Sequence, residues 1–201
     1  MKNTPTLVGS WVRFILLVFI LATLIATIPN KPAHAKNPLG KGQLMPDLEL
    51  PMPGEAAQAS YLGLEPGQAK TFRISQIKKD WLLVEIFNMY CTICQGEAHE
   101  VNQLYQKIRQ SPLNDQLAMI GIGVGNSPFE VNVFRNRYRI EFPLFPDMGY
   151  KVHKALGEPY TPHFVLVRLK QGELRIFLSN MGSFGQPSDF LADLQNVIKG
   201  K

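Results

Sequence analysis

Trp81-Leu-Leu-Val-Glu-Ile-Phe87, followed after Asn88, Met89 and Tyr90 by Cys91-Thr-Ile-Cys94, is the stretch on which the fold turns. A nearly continuous apolar run of this length is the mark of a strand buried on both faces. From Cys94 to Arg109 the apolar residues Val101, Leu104, Tyr105 and Ile108 fall at helical spacing, and Ser111-Pro112 ends the pattern. Cys91 therefore stands where a buried strand gives way to a helix. The free N–H groups and partial positive charge of a helix start favour thiolate over thiol, and the thiolate is the nucleophile of disulfide exchange. Cys94 lies one turn further on. The spacing predicts that Cys91 attacks, that Cys94 resolves, and that the two close a Cys91–Cys94 disulfide.

Outward from this unit the periodicities stay strong. Leu117–Val124 reads as a second buried strand, Phe129–Tyr138 as a second helix and Tyr150–Leu156 as a short third. Phe164–Val167 and Leu174–Leu178 flank Lys170-Gln-Gly-Glu173, the spacing of a hairpin. Ser188–Lys199 closes the chain as an amphipathic helix with Ser188 as its expected cap. Upstream, Thr71–Ile74 reads as a short strand and Ser75–Lys79 as a turn. The expectation is one α/β domain over residues 71–201, a mixed central sheet with helices on both faces. Residues 36–70, rich in Pro, Gly and Ala, read as an N-terminal extension, loosely ordered in parts, with Met45–Pro51 its one candidate strand.

The first 35 residues differ in kind. Lys2 and Arg13 precede fifteen uncharged residues, Phe14–Ile28, and then Pro29, Pro32 and Ala33-His34-Ala35. A basic start, an apolar stretch and a small-x-small site make a secretory signal peptide. The alternative is a retained N-terminal membrane anchor, for which residues 14–28 are short of the ~20 that a span needs. The formal charge of +5 includes Lys2, Arg13 and Lys31 of this leader, and without them 18 basic residues face 16 acidic ones. That near-balance argues against a nucleic-acid partner. Arg135-Asn-Arg-Tyr-Arg139 is the one dense basic run, and it reads as a solvated helix face.

Both cysteines of the chain sit in this one motif. As a staple it would close a four-residue loop and contribute roughly 2 kcal/mol, against about 3 for a 15-residue loop. A structural zinc site wants four ligands, and His99, His153 and His163 show no regular ligand spacing, so no metal and no cofactor is expected. Redox chemistry remains.

Trp81–Ile108 resembles the active-site strand and helix of thioredoxin-like proteins, closest in style to the exported TlpA/ResA-type thiol-disulfide oxidoreductases. These share ancestry with the alkyl hydroperoxide reductase/thiol-specific antioxidant group. Met45–Pro51 is similar to that group's opening, Glu141-Phe-Pro-Leu-Phe-Pro-Asp147 to the segment before its third main strand, and Tyr160-Thr-Pro-His-Phe-Val165 to its Thr-Pro before a strand. The resemblance implies a thioredoxin-like fold, a cis Pro162 facing the cysteines, and a Thr161 backbone that pairs with substrate. It offers two proton relays. Glu85 matches the buried acid of cytoplasmic thioredoxins, where desolvation raises the pKa; Glu97 matches the acid of the ResA type, where a first-turn position would keep it wet and ionised.

The departures are Tyr90 for the usual tryptophan of the substrate platform, Thr92-Ile93 for the usual pair containing proline, and His99 for a helix-bending proline. The implied activity is thiol–disulfide exchange in the periplasm or another extracytoplasmic space. It acts on exported protein thiols and disulfides, apocytochrome c among them, with a membrane thiol carrier as electron donor. Two alternatives stand beside it. A peroxidase of the antioxidant group would carry a threonine three residues before its reactive cysteine, where Cys91 has Asn88. A Sco-like copper chaperone would add a distant histidine, a place His163 would fill.

Overall fold

The computed structural model describes residues 37–200 apart from 66, 68 and 170–172, so the leader and the tip of the expected hairpin lie outside the described residues. Among the described residues, seven strands and five α-helices follow in the order β1 (Glu49–Pro51), α1 (Ala56–Tyr61), β2 (Thr71–Arg73), β3 (Trp81–Phe87), α2 (Thr92–Arg109), β4 (Leu117–Val124), α3 (Pro128–Tyr138), β5 (Leu144–Asp147), α4 (Lys151–Ala155), β6 (His163–Arg168), β7 (Arg175–Met181) and α5 (Pro187–Lys199). Five strands form one sheet in the order β5-β4-β3-β6-β7, and β1 and β2 form a separate ribbon. β3, β4 and β5 run parallel, while β6 and β7 are antiparallel to their neighbours. This is the expected mixed α/β sheet. Every residue of β3 and β4 is buried, as the unbroken apolar runs required.

The alternation of the strands divides the core in two. Leu83, Phe87, Met119, Phe164 and Leu166 pack with Cys94 of α2, with Val131 and Phe134 of α3 and with Leu194 of α5. Val84, Ile86, Ile120, Ile122 and Val165 face the other way, onto Leu50, Leu62, Phe72 and Val152. Helices thus lie on both faces.

Three elements differ from the expectation. β5 was hidden by Pro143 and Pro146, which argue against a central strand; it is an edge strand paired only to β4, where proline is tolerated. α5 begins at Pro187, whose fixed φ suits the first helical position. That makes Gln186 the flanking residue, so Ser188 lies inside the helix and is not its cap. The segment read as loosely ordered is built into the fold. Met45, Leu48, Leu50, Leu62 and Leu64 are buried in the sheet's own core.

The same segment also covers open sheet edges. Gly42 N–H donates to the Ile176 carbonyl (2.8 Å), Ile176 N–H to Gln43 (2.9 Å) and Met45 N–H to Leu174 (2.7 Å), all along the outer side of β7. β5 pairs with β4 only from Gly121 onward, and Met119 N–H donates instead to the Tyr61 hydroxyl at 2.8 Å. An unpaired buried amide costs about 1–3 kcal/mol. Tyr61→Phe is accordingly expected to lower stability by about that amount in urea unfolding, with the cysteine chemistry unchanged.

Candidate active site

The loop between β3 and α2 is fixed by amides from two strand ends. Asn88 donates from Nδ2 to the Val124 carbonyl (2.6 Å), accepts Tyr90 N–H on Oδ1 (2.8 Å), and its carbonyl accepts Cys91 N–H (3.0 Å). Asn126, fully buried, accepts Met89 N–H (2.9 Å), and Gln95 donates to the Met89 carbonyl (2.7 Å). Sequence reasoning missed this scaffold. Its signal was a polar amide within two residues of the end of each buried strand, where strand C-termini of a parallel sheet carry function.

Cys91 is the flanking residue of α2, and its sulfur accepts the N–H of Cys94 at 3.2 Å. Its thiol donates to the Thr161 carbonyl at 3.4 Å. The Thr161–Pro162 bond is cis, as the resemblance implied. Partial burial works against ionisation of Cys91, but hydrogen bonds from Cys94, from the Thr161 side chain and from the Ile93 backbone outweigh it and leave the thiol below its ordinary range. Cys94 is the converse. It is 1 % exposed, and burial, then its bond to Cys91, push its thiol up. Both are free thiols in this structure. A groove of about 350 Å³ opens beside Cys91, lined by Asn88, Tyr90, His153, Tyr160 and Thr161. Tyr90 is 66 % exposed, and its hydroxyl donates to Glu130.

Glu85 shares the sheet face of Leu83 and Phe87, hence that of Cys94, with Gly121 and Phe164 on the neighbouring strands. Burial, reinforced by the charges of Glu97 and Cys91, pushes its carboxyl up to about 8. Glu97 departs from expectation. Because α2 starts at Thr92, Glu97 lies in the second turn, against the loop before α5, and is only 6 % exposed. Its Oε1 accepts from Ser183 Oγ (2.6 Å) and Phe184 N–H (2.8 Å), while Oε2 is buried without a partner. Burial raises its pKa in spite of those two bonds. Both acids are thus desolvated.

The histidines separate. His163 is on the opposite sheet face, shared with Val165 and Val167, where its Nε2 meets Ser179 Oγ at 2.8 Å and burial lowers its pKa to about 4. It does not join the cysteines, so the ligand set of a copper chaperone is not assembled. His99 is exposed beside Gln103, and α2 continues through it as one helix. The peroxidase arrangement fails as well. Asn88 offers no hydroxyl, and its side-chain amide is already bonded to Val124 and Tyr90.

A mixed sheet with a low-pKa cysteine at a helix mouth, a buried partner cysteine and a cis-proline loop facing it defines a thioredoxin-like thiol-disulfide oxidoreductase. Residues 42–200 match the AhpC/TSA family, and the chain belongs to it. The thiol-disulfide oxidoreductase ResA of Halalkalibacterium halodurans is 23% identical over 128 residues, 64% of this chain and 69% of that protein. Among solved structures, a candidate thiol:disulfide interchange protein DsbE from Chlorobium tepidum superposes with a TM-score of 0.57 at 17% identity, covering 81% of this chain and 97% of the other. A candidate protein disulfide isomerase from Bacteroides thetaiotaomicron gives a TM-score of 0.61 at 15% identity over 81% and 95%. The TlpA/ResA-type resemblance and its fold are borne out.

Proposed function

We propose that the chain reduces disulfides of exported proteins, in the manner of cytochrome c maturation. The observation that supports this most is the split between the two thiols, one lowered beside an open groove and one buried and raised. The Cys91 thiolate attacks one sulfur of a substrate disulfide held against the Thr161 backbone. A Cys91–substrate bond forms, and the other substrate sulfur leaves as a thiolate that takes up a proton. Cys94 then attacks the Cys91 sulfur, its proton passing to Glu85 in the ionised form that a carboxyl of pKa about 8 still populates at neutral pH, while the Cys91–substrate bond breaks and the departing substrate sulfur takes up a proton. The substrate departs reduced, and the pair is left as a disulfide. Two electrons from a membrane thiol carrier restore the dithiol.

The setting is read from the leader. Residues 1–35 carry a signal peptide's pattern, which supports action in the periplasm or another extracytoplasmic space, the domain being either released or held by residues 14–28. The deciding measurement is the reduction potential of Cys91–Cys94 against glutathione. A reductant is expected near about −270 mV, the value for thioredoxin; a value near about −120 mV would make the protein an oxidant instead.

A further inference from the structure

Arg135 belongs to the basic run that the sequence presents as a solvated face, yet its side chain is only 18 % exposed. It lines a cleft of about 360 Å³ between the β1–α1 connection and the α3–β5 side of the sheet. The walls are mostly apolar, with Met52, Pro53, Pro128, Val131 and Phe145 prominent. A guanidinium has five N–H donors, and this one is poorly supplied with acceptors. Its Nη2 donates to the Leu144 carbonyl at 3.5 Å, and its Nη1 is 3.8 Å from Glu55 Oε1, which is beyond hydrogen-bond reach. Among the described residues these are the contacts of its head group. Glu55 is itself 68 % exposed and makes no capping bond to α1. The mostly buried cation is thus held by one long hydrogen bond and a loose ion pair with a largely exposed carboxylate, which leaves donors of its head group open to the cleft and able to take a closer anion.

We propose that this cleft is a binding site for a small carboxylate with an apolar body, the carboxylate on Arg135 and the body against the proline, valine and phenylalanine walls. Planar guanidinium and carboxylate match as a two-pronged pair, and the volume suits a small molecule. The site stands apart from the cysteines and does not rest on the redox reading.

The test is an NMR titration of the full-length chain with hexanoate, with hexanol as the uncharged control. Saturable shifts confined to Val131, Phe145 and the Arg135 side chain are expected for hexanoate. Hexanol should bind roughly tenfold or more weakly, the worth of a charge-assisted bond. Arg135→Gln should abolish that preference, and Glu55→Gln, which removes a competing carboxylate, should hold hexanoate at least as tightly as the parent. The proposal is overturned if hexanoate gives no saturable shift, or if hexanol binds equally well. It is also overturned if Glu55→Gln lowers the melting temperature without improving affinity, since Glu55 is then the partner of Arg135. The comparison of hexanoate with hexanol needs no substitution, so it decides the matter even where an Arg135 variant folds poorly.

Discussion

Cys91→Ser is expected to bring disulfide reduction down to the rate seen without enzyme, whereas Cys94→Ser should trap a covalent Cys91–substrate intermediate. The asymmetry follows from the two thiols. Cys91 sits at the mouth of α2, takes the N–H of Cys94 and lies open to the groove, so its thiolate is the accessible one. Cys94 is 1 % exposed and held protonated by burial. It acts only after the first sulfur–sulfur bond has brought a disulfide to it. Alkylation of the reduced chain across pH, read by peptide mass spectrometry, should modify Cys91 first, with an apparent pKa below the ~8.5 of a free thiol. Prior modification of Cys94 would reverse the assignment.

Glu85→Gln should slow release of the mixed disulfide by about 10²-fold near neutral pH, the low end for general acid–base catalysis. Its carboxyl has an unfolded value near 4.5 and a folded value of about 8. It therefore exchanges protons in the range where Cys94 must lose one. The same shift has a stability signature. A raised acid holds its proton more tightly in the folded state, so its contribution is fully present below about pH 4.5 and is lost as pH rises through about 8. Urea unfolding should show the parent losing several kcal/mol relative to Glu85→Gln across that window. Glu97 is desolvated too, but its Oε1 is engaged by Ser183 and Phe184. Glu97→Gln should change the rate far less. If instead it is the slower enzyme, the relay belongs to Glu97.

Much of this was legible because the decisive signals are local. The apolar run Trp81–Phe87 reads as a strand buried on both faces and the helical spacing from Cys94 onward as a helix, and both are found there. What escaped depends on contacts between distant residues. Nothing near Glu97 in sequence announces that Ser183 and Phe184, more than eighty residues on, will close over it. Ala56–Tyr61 is too short for a helical period to register, and it matters through one hydroxyl bound to an amide 58 residues away. β5 was concealed by proline, a residue whose local preference is overruled only by knowing that the strand is an edge. His163 follows Pro162 directly, yet strand alternation turns it to the far face.

The tether on Tyr90 bears on how the protein meets a partner. An aromatic ring two-thirds exposed beside a nucleophile would ordinarily sample several rotamers and lose that freedom on docking. Here the backbone N–H is held by Asn88 and the hydroxyl by Glu130, whose other oxygen is bound within the Ser127 capping box of α3. The hydrogen bond to Tyr90, with those from Ser127, depresses the Glu130 carboxyl to about 2, so the tether survives well into acid. The backbone and the hydroxyl of Tyr90 are thus both bonded to the fold in the free protein. On the proposal that Tyr90 meets the substrate polypeptide, the partner would shed its own conformational entropy on binding while this ring gives up little, and selectivity would rest on the shape of the partner rather than on adaptation by the enzyme.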